Sequence, residues 1–160
     1  MIEIKNLILD LNTDSPKKIP VFKVKAHTQL NLEIKGSFKG PKNYEYIFPV
    51  SLLGPFSAIK INGKFFVSEG SKLKLIFSVA DTLKAKTASI DLDLKGLIFD
   101  KTSGVIVGQK ISLSHKDSRL KHSLAFGGLN PEILSYLNSR GITNNWLRAY
   151  LEKNYINMSA

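Results

Sequence analysis

Asp91 and Asp93, in the stretch "IDLDL", are the first residues of this chain whose types and spacing could do chemistry. Alternate residues of a strand share a face, so the two carboxylates could help hold a divalent cation. Calcium or magnesium needs more oxygen ligands than two side chains give, and no calcium-loop spacing accompanies the pair. A solvated strand face accounts for them more simply. The three histidines, His27, His115 and His122, show neither an HExxH spacing nor an i,i+4 pair. His115 and His122 flank a basic run, where a protonated ring would suit a neighbouring anion; as surface histidines they need no such role. Serines are plentiful, but no G-x-S-x-G elbow holds one. Gly54 and Gly63-Lys64 lack phosphate-loop spacing, and no G-x-G-x-x-G follows a strand. There is no cysteine, hence no disulfide, thiolate metal site or cysteine nucleophile. The motifs predict no catalytic residue, metal, cofactor or small-molecule substrate, and the chain reads as non-enzymatic. A hidden enzyme would instead show a deep pocket with clustered polar groups.

What remains is charge. The chain has 160 residues, 23 of them basic and 13 acidic, for a net charge of +10. Such a balance favours anionic partners, nucleic acid or acidic membrane. Only Arg119, Arg140 and Arg148 are arginines; the other basic residues are lysines. Lysine acts as a point charge, whereas base readout favours the arginine fork. The expected contact is therefore with phosphate or head groups, without sequence specificity. Two clusters are candidates for anion binding. The first is Lys17, Lys18, Lys23, Lys25, Lys35, Lys39 and Lys42, set against the single acid Glu33. The second is Lys110, Lys116, Arg119 and Lys121 against Asp117. Six net charges at roughly 1 kcal/mol each give at most ~6 kcal/mol near an acidic bilayer. Phosphate contacts on RNA weaken just as steeply with salt. Firm attachment then needs many linked copies, which points toward self-assembly.

The elements that must carry these lysines are mostly strands. No apolar run approaches the ~20 residues of a membrane-spanning helix, and the acid-bearing "MIEIKNLILDLN" is a poor leader peptide. Within it the apolar parity changes, from Ile2 and Ile4 to Leu7, Leu9 and Leu11, predicting a bulge near Lys5–Asn6. A loop over Asn12–Pro20 follows. "VFKVKAHTQLNLEIKG" then alternates from Phe22 to Lys35, its odd face carrying Lys23, Lys25, His27 and Lys35. That run is long for one strand, so a bend near Thr28–Gln29 is expected. Tyr44–Val50 reads as a strand broken or edged by Pro49. Asn62-Gly63 between apolar runs predicts a two-residue hairpin. Lys72–Val79, Ala88–Gly96 and Gly104–Ser114 supply further strands. No internal repeat stands out.

Near the C-terminus the period changes. "DSRLKHSLAF" reads as a short helix capped by Asp117 or Ser118. Asn130 caps a better-defined helix with Pro131 in its first turn and Gly141 at its end. Thr143 caps a second helix, whose Trp146 is expected in the core. The whole predicts one domain over 1–160. It is mainly β: an antiparallel sheet, sandwich or barrel over 1–114, with a helical C-terminal part over 117–156 ending in a hairpin.

The stretches "LNLEIKGSFKGPKNYEYIFPV" and "SKLKLIFSVADTLKAK", with the size, charge and strand order of the chain, resemble the compact matrix proteins of negative-strand RNA viruses. That resemblance implies a non-enzymatic layer protein. It would oligomerise, bind acidic phospholipid through lysines and contact a ribonucleoprotein, peripheral to a membrane in host cytoplasm or virion. No late-domain motif or basic N-terminal tail accompanies it. The C-terminal "LNPEILSYLNSRGITNNWLRAYL" is similar, around Tyr136, Leu137, Arg140, Gly141 and Ile142, to the acidic mitochondrial matrix trimer family. This second resemblance implies a closed oligomeric scaffold, although that family is acidic and begins with a helix. The expected function is a self-associating structural protein that binds anionic surfaces. The alternatives are a nucleic-acid module reading the phosphate backbone and the trimeric scaffold. A single-strand binder would need exposed aromatics, with Tyr44 and Tyr46 the nearest to the basic face.

Overall fold

The computed structural model describes residues 1–11 and 19–157. Among these residues nine strands run in chain order: β1 (Glu3–Asp10), β2 (Phe22–Val24), β3 (Thr28–Phe38), β4 (Asn43–Leu52), β5 (Ala58–Val67), β6 (Lys72–Asp81), β7 (Ser89–Ile98), β8 (Gly104–Ser112) and β9 (Arg119–Gly128). Two helices follow, α1 (Pro131–Ser139) and α2 (Asn144–Tyr155). Odd strands form one sheet in the order β1-β3-β5-β7-β9, and even strands form a second, β2-β4-β6-β8. Every pairing is parallel. The chain is a two-sheeted β-solenoid, not the antiparallel sheet, sandwich or barrel that the alternation suggested.

The reason for the difference is physical. Alternation reports which residues share a face and says nothing of strand direction. Parallel sheets usually carry helical crossovers and read as continuous apolar runs because both faces are buried. Here the crossover between parallel neighbours is a strand of the opposite sheet. Each sheet buries one face only, so its strands alternate as antiparallel ones do. Successive coils advance from Gln29 to Ala58, Ser89 and Arg119 on the odd sheet.

The core fills the space between the sheets. Ile34, Phe48, Phe65, Leu75 and Leu94 are fully buried. Phe48 stacks on Phe77 with centroids 4.8 Å apart. Glycines make room for rings. A Cβ on Gly63 would stand 2.6 Å from Leu94 Cδ2 and 2.7 Å from the Phe65 ring, and one on Gly96 would stand 2.3 Å from Phe126. That requirement overturns the hairpin at Asn62-Gly63. Both residues lie inside β5, paired with Glu33 and Ile34 on one side and Asp93 and Leu94 on the other. Gly63 is not among the glycines with positive φ.

Other expectations shift for similar reasons. No bulge interrupts β1; it pairs β3 without a break from Glu3 to Asp10. Its apolar parity changes because Leu7 and Leu9 lie beside buried Leu32 and Ile34, while Ile4 and Ile8 face out. The long run from Phe22 divides into β2 and β3, turning at Lys25–His27, slightly before the expected bend. Pro49 lies within β4, beyond the three residues that pair with β2, where no neighbour among the described residues needs its missing N–H. Arg119–Gly128 is a strand, not a helix. The expected loop over Asn12–Pro20 lies, apart from Ile19 and Pro20, outside the described residues.

The helical hairpin forms as the caps predict. Asn130 accepts from Glu132 N–H, Thr143 accepts from Trp146 N–H, and Gly141 takes φ +82°. Its hold on the sheet is local. Ser37 Oγ donates to Glu152 at 2.7 Å, Lys39 pairs with Glu152 at 3.5 Å, and Arg148 pairs with Glu69. Beside Ser37 in the sheet, outward-pointing Phe66 is fully buried, so the hairpin covers this end of the outer face. Trp146 is 56% exposed and stacked on Tyr150; it is not a core residue.

Candidate functional site: lysines, turn edges and open coil ends

The solenoid separates lysines that the sequence holds close. Lys17 and Lys18 lie outside the described residues. Lys23 faces out from the even sheet and Lys35 from the odd sheet, on opposite outer surfaces. The predicted single basic face from Lys23 to Lys35 therefore does not exist as one surface. Lys25 sits in the β2–β3 turn, and Lys39 and Lys42 in the β3–β4 turn. Lys110 faces out from β8, Lys116 lies in the β8–β9 turn, and Arg119 and Lys121 face out from β9.

Parallel register instead stacks equivalent positions. Lys35, Lys64 and Lys95 form one outer column, and Glu33, Asn62 and Asp93 the column beside it. Lys35 pairs with Glu33 at 3.0 Å and Lys95 with Asp93 at 3.3 Å. Two of the three lysines are thus offset by the two acids, in exposed pairs of the kind that add little net stability. Asp93 is thus engaged by a lysine, and Asp91 lies beside Lys60 and Lys121. The described residues contain no group of three or more metal-ligating side chains. The histidines are far apart in role. His27 stacks on Phe56, His115 Nε2 meets Leu83 O at 2.7 Å, and His122 occupies an inward position on β9.

The turns form two lateral edges. Along one run the β3–β4, β5–β6 and β7–β8 turns. Asp100 organises them, accepting from Glu69 N–H at 2.7 Å, from Thr102 N–H and Oγ1, and from Ser103 N–H and Oγ. Ser103 Oγ meets Gly70 N–H, and Ser71 Oγ bonds to both Phe38 O and Ser68 O. Burial alone would raise the Asp100 pKa, but these hydrogen bonds to the carboxylate outweigh it and hold the group below its ordinary value.

The opposite edge stacks the β2–β3, β4–β5, β6–β7 and β8–β9 turns. His27, Phe56 and Thr87 occupy equivalent positions there, each just before a buried residue (Thr28, Ser57, Ala88), and each has φ between 53° and 57°. Left-handed backbone is uncommon outside glycine; its recurrence makes it the turn geometry of this coil. Phe56 N–H donates to Lys86 O at 2.9 Å and His27 N–H to Pro55 O, tying adjacent turns together. Leu83 is 81% exposed and Phe56 48% exposed, among exposed Lys25, Lys84, Lys86 and Lys116.

The coil ends are open. Among the described residues, strand β1 pairs only with β3 and β9 only with β7. The inward residues Leu120 and Leu124 of β9 are 43% and 44% exposed, whereas their neighbours Ile90 and Leu94 on β7 are buried. Sequence reasoning could not see this surface, because nothing local marks a strand as terminal. No family model matches this chain, and no curated protein matches it.

Proposed function

We propose that this chain is a non-catalytic structural protein whose copies associate end to end through their open coil ends. The uncovered inner face of β9 carries this reading. An exposed parallel edge with apolar inward residues is a template for another strand. The free edge of β1 is its complement. Continued in the register of the existing sheet, β1 of a second copy sets Leu9 beside Leu124 and Leu11 beside Phe126. In that register Arg119 meets Ile4, Lys121 meets Asn6 and Lys5 meets Leu120, so the apolar pairs carry the contact, and charge differs only strand by strand. Strand β9 carries Arg119 and Lys121 without an acid, and β1 carries Glu3 and Asp10 with one lysine. Pairing β9 with a second β9 would instead set like charges together. A head-to-tail contact either closes into a ring or continues as a filament. From the matrix resemblance only the layer-forming role is kept.

The nucleic-acid alternative draws less support. Tyr44 and Tyr46, the aromatics nearest the expected basic face, are 7% and 2% exposed and offer no stacking platform. The test is mass by light scattering against concentration, for the parent chain and for Leu124→Lys. Growth with concentration in the parent and a monomer in the variant is the expected pair of results. A parent chain that stays monomeric at all concentrations contradicts the reading, as does a variant that assembles like the parent.

A further inference from the structure

We propose that the edge formed by the β2–β3, β4–β5, β6–β7 and β8–β9 turns is a docking site for an acidic phospholipid bilayer. Leu83 and Phe56 would enter the head-group layer, and Lys25, Lys84, Lys86 and Lys116 would meet lipid phosphates. The site stands apart from end-to-end association, since it uses neither β1 nor β9.

Three observations carry it. First, Leu83 is the most exposed large apolar side chain within the solenoid and sits at the tip of a turn. Solvent gives no reason for it to be there. Second, the lysines around it are free. Lys25, Lys84, Lys86 and Lys116 form no ion pair among the described residues, in contrast to Lys35, Lys39, Lys74 and Lys95. Apolar tips between unpaired lysines match a surface that is anionic above and apolar beneath. Third, the apolar residues are pre-positioned. The Phe56 backbone is bonded to Lys86, and its ring stacks on His27 with centroids 5.3 Å apart. Coils about 4.8 Å apart set the four turns in one short row, so the groups reach a flat surface together. The opposite edge shows what the same turns look like without such a role: its turns over 39–42, 68–71 and 100–103 expose no large apolar side chain. RNA would use the lysines but not Leu83, and Phe56 has one ring face already occupied.

The chain has no cysteine, so Leu83→Cys accepts a polarity-sensitive fluorophore at that position alone. Vesicles of phosphatidylcholine with phosphatidylserine should shift its emission to the blue, and vesicles of phosphatidylcholine alone should not. Co-sedimentation reads the same binding without a label. Replacing Lys84 and Lys86 by Glu should lower partitioning onto the acidic vesicles by at least about thirtyfold, from the charge contributions near such a surface. Leu83→Ser should lower it several-fold, and Lys101→Glu with Lys153→Glu, the same charge change elsewhere, should lower it far less. All five positions are exposed, so folding is checked by circular dichroism and is expected to be unchanged. Leu124→Lys, which breaks end-to-end association in the reading above, should need more acidic lipid but reach the same blue shift at saturation. The proposal is overturned by an unshifted fluorophore, by equal losses in the two lysine pairs, or by a shift that stays absent in Leu124→Lys at saturating acidic lipid. It is overturned too if oligouridine binds through Lys84 and Lys86 while acidic vesicles do not.

Discussion

The two lateral edges of this solenoid are built on the same coil and spend their side chains differently. One edge uses the side chains of Ser71, Asp100 and Ser103 to satisfy its own backbone, with the helical hairpin anchored alongside through Arg148 and Glu152. The other relies more on main-chain bonds between turns, with Asp81 accepting from Ser114 N–H and Oγ and His115 Nε2 meeting Leu83 O, and it leaves Leu83, Lys84 and Lys86 facing outward. In a parallel coil the inward positions are dictated by packing, whereas turn residues repeat in space without having to repeat in kind. Stability should therefore respond to changes at the hydrogen-bonded edge, and partner binding to changes at the lysine edge.

The common interior sets the scale of effects. Phe65→Ala removes a fully buried ring that packs over Gly63 and against Phe126, and should cost about 3–5 kcal/mol in urea unfolding. Asp100→Ala leaves the Glu69, Thr102 and Ser103 N–H groups without their acceptor and should cost about 2 kcal/mol. The sign of its pH dependence follows from the lowered pKa. The folded state binds the proton less readily than the unfolded one, so this contribution is present above the ordinary carboxylate value of 3.8. It is lost as pH falls through the lower folded value. Asp100→Asn should flatten that part of the acid limb of a stability–pH curve; an unchanged limb would remove Asp100 from the account. Thr87→Gly relieves a β-branched residue at φ 57° and should raise stability by about 1 kcal/mol, visible as a higher urea midpoint. Smallest of all, Lys84→Glu with Lys86→Glu should move the midpoint by less than about 0.5 kcal/mol. A large loss there would blur the distinction between the edges.

Much of the fold was legible, for reasons the residues make plain. Alternation located most of the strands, although β9 was read as a helix and β5 was split at a hairpin, and Asn130, Pro131, Gly141 and Thr143 placed the helices. Direction was not legible, because a half-buried parallel strand and a half-buried antiparallel strand share one pattern. The repeat was written but interrupted. "LNLEIKG" (Leu30–Gly36) and "IDLDLKG" (Ile90–Gly96) occupy matching positions two coils apart. The intervening "IKINGKF" breaks the likeness at Asn62-Gly63, where the glycine moves to make space for Phe65. The candidate site was less legible. Grouping lysines by nearness in sequence joined Lys23 to Lys35, which the coil sends to opposite surfaces. Lys84, Lys86 and Leu83 were passed over, since their significance lies in the turns stacked beside them. Placing His27, Phe56 and Thr87 in one column was the signal that would have found them.

End-to-end association is the central claim, and light scattering of the parent chain beside Leu124→Lys tests it most directly. The account predicts mass rising with concentration in the parent and a folded monomer in the variant. A parent of fixed mass, whether monomer or a closed trimer indifferent to the charge placed at Leu124, would contradict it.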